Sequence, residues 1–150
     1  MSNRTNRLDD VRGQSLVEVI VSIGITTLVL VGLVSAVTHA LNNAQYSRNK
    51  SAATKYSQEA VEWLRKERNG GWSEFSGHAS ADPGFVYCLN TLDWTLGTCT
   101  GAKIDNQFDR TATLILLQPS SDRVDITLDV TWKQGSRDSK VTVNTYLSNY

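Results

Sequence analysis

Residues 12–25 read Arg12-Gly13-Gln14-Ser15-Leu16-Val17-Glu18-Val19-Ile20-Val21-Ser22-Ile23-Gly24-Ile25: a basic residue, a glycine, then an apolar run with one carboxylate near its start. From Val19 to Leu41 there are 23 residues without Asp, Glu, Lys or Arg. As a helix rising ~1.5 Å per residue they would span about 34 Å, enough for a hydrocarbon core of ~30 Å. Glu18 stands at the edge of that run. A carboxylate placed deep in a bilayer costs roughly 2.5–3.5 kcal/mol on insertion scales, so Glu18 is a functional candidate that needs a partner.

Outward from this stretch, the 150-residue chain leaves room for one small globular head once the apolar segment is set aside. The charge is balanced, with 15 basic and 15 acidic residues. Nothing polycationic argues for nucleic acid, although DNA or surface binding by the head stays open. Residues 1–68 carry nine Lys/Arg against six Asp/Glu, and residues 69–150 carry six against nine. With Arg4, Arg7 and Arg12 ahead of the apolar run, this split reads as a positive-inside signal. It predicts a single-pass cytoplasmic-membrane protein with its N-terminus inside and its head outside. A cleaved secretory signal is a poor fit, because the run is too long and Glu18 interrupts it. A plain anchor accounts for the length but not for Glu18 or the Gly13-Gln14 junction.

Gly13-Gln14-Ser15-Leu16-Val17-Glu18, a glycine before an apolar helix with glutamate five residues on, resembles the processing site of type IV prepilins and pseudopilins. The resemblance implies cleavage between Gly13 and Gln14 by a membrane-embedded prepilin peptidase, with methylation of the new amine on Gln14. It also implies that Glu18 pairs with that amine on a neighbouring subunit, removing two isolated charges from an apolar filament core. The implied partners are other pilin subunits through the N-terminal helix, the peptidase, an inner-membrane assembly platform and membrane lipid. The implied location after assembly is an extracellular or periplasmic filament. Two positions depart from the common pattern: Gln14 stands where many pilins begin with phenylalanine, and Ser35 where many major pilins carry proline. Both point toward a minor subunit. The alternatives are a pseudopilin of a type II secretion or competence system, and a membrane-anchored extracytoplasmic binding domain that does not assemble. Gly24 and Gly32 weaken a helix by roughly 1 kcal/mol each relative to alanine, and read as points of close helix packing.

The domain plan is a leader over residues 1–13, a membrane or filament-core helix over 14–41, an amphipathic helix of the head over 42–69, and a loop and sheet over 70–150. Ala53, Tyr56, Ala60, Val61, Trp63 and Leu64 recur every three or four residues, so the helix continues past the apolar run with one face to be covered. Gly70 to Gly84 reads as a loop. Phe85–Asn90 and Leu92–Leu96 are short strand signals, and Ala112–Gln118 is a firmer one closed by Pro119-Ser120-Ser121-Asp122. Val124, Ile126, Leu128, Val130 and Trp132 alternate with polar residues, as do Val141, Val143, Thr145 and Leu147, with a turn at Gln134-Gly135-Ser136 between them. The expected fold is α+β: a long N-terminal helix laid on a small antiparallel sheet of four strands, the type IV pilin fold by resemblance.

Cys88 and Cys99 enclose ten residues in a head placed outside, where disulfides persist; a reduced pair and a metal pair are the rival readings. His39 and His78 lack a ligand partner at metal spacing and read as interface and solvated residues. Asp122, Asp125 and Asp129, and Asp105 with Asp109, lack the calcium-loop pattern and read as wet-face residues. No nucleophile elbow, phosphate loop or catalytic triad appears, so no catalytic residue, cofactor or metal is expected. Asn49-Lys50-Ser51 forms a glycosylation sequon.

Overall fold

The computed structural model describes the backbone of residues 11–117 and 122–149, and the side chains of those ranges from residue 16 onward. The N-terminal part of the expected leader, the Pro119-Ser120-Ser121 turn and Tyr150 lie outside them. The chain divides into two compact units, Met1–Gln45 and Tyr46–Tyr150. Helix α1, Val11–Gly70, runs through the division.

In the first unit α1 is described from Val11, and Gly13 and Gln14 lie within it. A glycine costs a helix roughly 1 kcal/mol relative to alanine, so Gly13 is a weak point in it. Beyond it, Leu16 to Leu41 present leucine, isoleucine and valine on every side, all exposed, and the helix is long and apolar enough to cross a membrane. Four of the five hydroxyls within this run donate to the carbonyl one turn back: Ser22 to Glu18 at 2.7 Å, Thr26 to Ser22 at 2.8 Å, Thr27 to Ile23 at 2.8 Å and Thr38 to Val34 at 2.9 Å. Such back-bonding hides the hydroxyls from an apolar surrounding.

In the second unit the last seven turns of α1 cover an antiparallel sheet. Ala53, Ser57, Ala60 and Leu64 are fully buried, with Tyr56 and Trp63 half-buried beside them. Small residues at this spacing let the helix approach the sheet closely. Ser57 is tolerated there because its hydroxyl donates to Ala53 O at 2.9 Å. The expected loop after α1 contains a short helix, α2 (Trp72–Gly77), whose Phe75 enters the core.

The sheet has five strands instead of four: β1 (Phe85–Cys88), β2 (Thr95–Leu96), β3 (Phe108–Leu116), β4 (Arg123–Gln134) and β5 (Arg137–Ser148), in the order β2-β1-β3-β4-β5. The fold is therefore α+β, a long helix packed on a five-stranded antiparallel sheet. Two strand expectations change. The signal at Leu92–Leu96 contracts to the two-residue β2, because Leu92 is left-handed at φ 55° and turns the chain. Strand β3 starts at Phe108, four residues before Ala112, since Asp109 and Arg110 break the apolar pattern without breaking the ladder to Val130 and Thr131.

Burial alternates along β4, with Val124, Ile126, Leu128, Val130 and Trp132 inward. Its cross-strand partners on that face are Leu114, Ala112 and Phe108 of β3 and Val141, Val143 and Leu147 of β5. The β4–β5 turn is Gly135-Ser136, with φ +62° at the glycine, the left-handed first position that a tight hairpin turn requires. At Gly84 a side chain is excluded by space as well as by backbone: at φ +85°, an added Cβ would lie 2.7 Å from Leu114 O.

Candidate functional site

The residues singled out in the sequence fall in separate places. Gly13, Gln14 and Glu18 lie on the N-terminal part of α1; Cys88 and Cys99 lie in the head. Glu18 is exposed, and among the described residues its carboxylate has no ion-pair partner, while its backbone carbonyl accepts the Ser22 hydroxyl. An added Cβ at Gly24 or Gly32 meets nothing within 4 Å, so whatever packs against those glycines is not another described part of this chain.

Cys88 and Cys99 form a disulfide, with an S–S distance of 2.01 Å. The bridge joins the end of β1 to the loop after β2, and Cys99 Sγ lies 3.4 Å from Arg110 O. Closing so short a loop constrains the unfolded chain by about 3 kcal/mol on the chain-entropy estimate.

The group that sequence reading missed is Arg110. It is 1% exposed, the only charged residue among the buried side chains described. Its guanidinium donates to Leu89 O through Nε at 2.9 Å and Nη2 at 2.7 Å, to Tyr56 O through Nη1 at 2.8 Å, and to Glu59 Oε2 at 3.1 Å. One planar cation thus ties the helix, the segment after β1 and strand β3 together. Burial pushes the Arg110 pKa down, and Glu59 opposes that shift. The signal was present: Phe108, Arg110, Ala112 and Leu114 share one strand face, so period-two alternation points Arg110 inward once the strand is begun at Phe108.

Beside this node the Tyr56 hydroxyl donates to the Asp105 carboxylate, in a turn where Asp105 and Asn106 are both left-handed. That bond, and then burial, raise the Tyr56 pKa above its ordinary value. Burial alone raises that of Tyr87. Asp93, fully exposed, is held below the usual carboxylate range by the Thr95 and Thr91 hydroxyls.

His78 is not the solvated loop residue expected from the sequence. It caps α2 and stacks on Trp94 with ring centroids 3.9 Å apart and planes 6° from parallel, while Trp94 Nε1 donates to Glu67 Oε2 at 3.2 Å. Trp63, Phe75 and Tyr87 also meet Trp94, so this aromatic group packs the loop down onto the helix. An open cleft of about 200 Å³ beside it is lined by Lys66, Glu67, Glu74 and His78.

Four of the five aspartates considered for calcium are engaged internally. Arg123 pairs with Asp125 at 2.6 Å, Lys140 with Asp129 at 3.3 Å, and Lys103 with Asp109; Asp105 takes the Tyr56 hydroxyl. Among the described residues no group of three His, Cys, Asp or Glu converges as a metal would require. Asn49, the sequon residue, donates its amide to Gln134 Oε1 at 3.0 Å, a bond that a glycan on that nitrogen would disrupt. Compared with family models, with curated proteins and with solved structures, the chain has no match.

Proposed function

We propose that this chain is a structural subunit of a type IV pilus-like filament, a minor pilin, inserted with its N-terminus in the cytoplasm, cut after Gly13 and methylated on Gln14. The observation that carries the reading is one helix with two kinds of surface. Its first part exposes a dense run of leucine, isoleucine and valine around the lone carboxylate Glu18, and its last part carries a disulfide-bonded α+β head. An apolar helix in which every face is uncovered needs lipid or other helices around it. The cut supplies the missing partner for Glu18: a positive amine on Gln14, one turn away in sequence, meets the carboxylate of a neighbouring copy. With Ser22, Thr26, Thr27 and Thr38 already bonded to the helix's own carbonyls, that charge pair is the main polar event in assembly.

N-terminal mass spectrometry of the membrane-fraction protein tests the class. A methylated Gln14 is expected, and Gly13→Val should retain the leader; a wild-type chain that still begins at Met1 overturns the proposal. Glu18→Ala should insert and be processed yet enter filaments at least tenfold less often, as scored by filament immunoblotting. Normal incorporation of that variant removes the assembly role of Glu18 while leaving the processing claim standing.

A further inference from the structure

The N-terminal end of the head is basic, although the chain as a whole is neutral. The side-chain bond from Asn49 to Gln134 and the ring contact of Tyr46 with Trp132, centroids 6.1 Å apart, hold the β4–β5 hairpin end against the first turns of the head's helix. Cations flank that bond on both elements. Arg48 and Lys50 adjoin Asn49, Lys133 adjoins Gln134, and Arg137 is the cross-strand partner of Gln134. All four are exposed, and among the described residues none has an ion-pair partner. The opposing charge is small: Asp138 faces Lys133 across the hairpin, and Asp109 is already paired with Lys103. On the helix no acidic residue occurs between Glu18 and Glu59.

We infer that this basic hairpin end, Arg48, Lys50, Lys133 and Arg137 around the Asn49–Gln134 bond, rests on anionic lipid headgroups when the subunit is in the membrane. The inference rests only on the membrane-spanning part of the proposed function, not on processing or assembly. Lipid is favoured over nucleic acid by the tether. Only Asn42 to Gln45 separate Leu41, the last leucine, isoleucine or valine of the run, from Tyr46, and those five steps reach at most about 18 Å even when fully extended. That holds the four cations near a surface whose negative potential acts over a Debye length of ~10 Å. Tyr46, 41% exposed, is an aromatic of the kind that settles at headgroup level. Each such cation strengthens attachment to an anionic surface by roughly fivefold. The contact would hold the head down in the membrane pool of subunits, and it would have to be broken when a subunit leaves the bilayer.

The test uses the full chain in nanodiscs, labelled at Ser136→Cys on the exposed hairpin turn, with quenching by headgroup spin-labelled lipid. A second label at Val29→Cys, read with acyl-chain spin-labelled lipid, reports insertion. Severalfold stronger quenching at 136 is expected with phosphatidylglycerol than with phosphatidylcholine alone. It should be lost in 0.5 M salt and in the variant carrying Arg48→Gln, Lys50→Gln, Lys133→Gln and Arg137→Gln. Quenching at 29 with equal quenching at 136 in both lipids overturns the headgroup contact and leaves the span intact. No quenching at 29 overturns both. A label at 136 indifferent to phosphatidylglycerol but shielded by added duplex DNA overturns the lipid assignment in favour of nucleic acid.

Discussion

Leu28 and Ala53 sit on the same helix, yet the leucine is 74% exposed and the alanine is fully buried. Through Leu41 the helix carries its densest run of leucine, isoleucine and valine with nothing of the described chain against them. From Tyr46 onward it buries alanines, a serine and one leucine. Burial along α1 therefore runs opposite to hydropathy. The head can bring a sheet close only where the helix surface is thin, which selects Ala53, Ser57 and Ala60. The apolar run has no such constraint among the described residues, and the neighbours proposed for it, lipid or partner helices, would fit leucine, isoleucine and valine equally well. What stabilises the head is consequently local to the head, and what the N-terminal run does is directed outward.

This contrast can be broken most sharply at Arg110. Arg110→Ala removes four donated hydrogen bonds, leaving Leu89 O with only the Leu92 N–H at 3.1 Å and Tyr56 O with only its helical bond. A loss of about 4 kcal/mol is expected in urea unfolding of the full chain in detergent, followed by tryptophan fluorescence. Glu59→Gln should cost less than ~1 kcal/mol, because Glu59 is 53% exposed and solvent screens the pair. Equal losses in the two variants would make the salt bridge, rather than the carbonyl bonds, the source of stability.

Next in size is a matched pair on the helix. Leu64→Ala should lower head stability by about 3 kcal/mol, from lost burial and the cavity left behind. Leu28→Ala should change it by less than ~0.5 kcal/mol in the same unfolding measurement. If Leu28→Ala destabilises the head as much as Leu64→Ala, the two parts of α1 are not energetically separate.

The smallest effect is a pH dependence confined to the head. The Tyr56 hydroxyl is held protonated by Asp105, so its folded pKa lies above that of the unfolded chain. Its contribution is fully present below the ordinary tyrosine value of ~10 and is lost as pH rises through the folded pKa. Tyr56→Phe should cost about 1 kcal/mol near neutrality and flatten the alkaline decline in stability. An unchanged alkaline profile in that variant would remove Tyr56 as its source.

The sequence by itself determined the long helix, its apolar first part, the isolated position of Glu18, and the β4–β5 hairpin. These are one-dimensional patterns: a charge-free run, a 3.6-residue stripe and a period of two, each with its cause in the neighbouring residues. Whether Cys88 and Cys99 join was open in the sequence, and pairing depends on where the two Cα atoms come to lie, which is 5.0 Å apart. Only the tertiary structure decided the fifth strand, the stacking of His78 on Trp94, the basic hairpin end and the burial of Arg110. Strand alternation can point Arg110 inward, but it does not say whether a buried guanidinium finds partners there. The guanidinium becomes tolerable only when carbonyls from Leu89 and Tyr56 and the carboxylate of Glu59 converge on it, and those acceptors lie 21, 54 and 51 residues away along the chain. No local pattern encodes such a convergence, because the desolvation cost of the guanidinium is offset by partners that meet only after the helix has closed over the sheet.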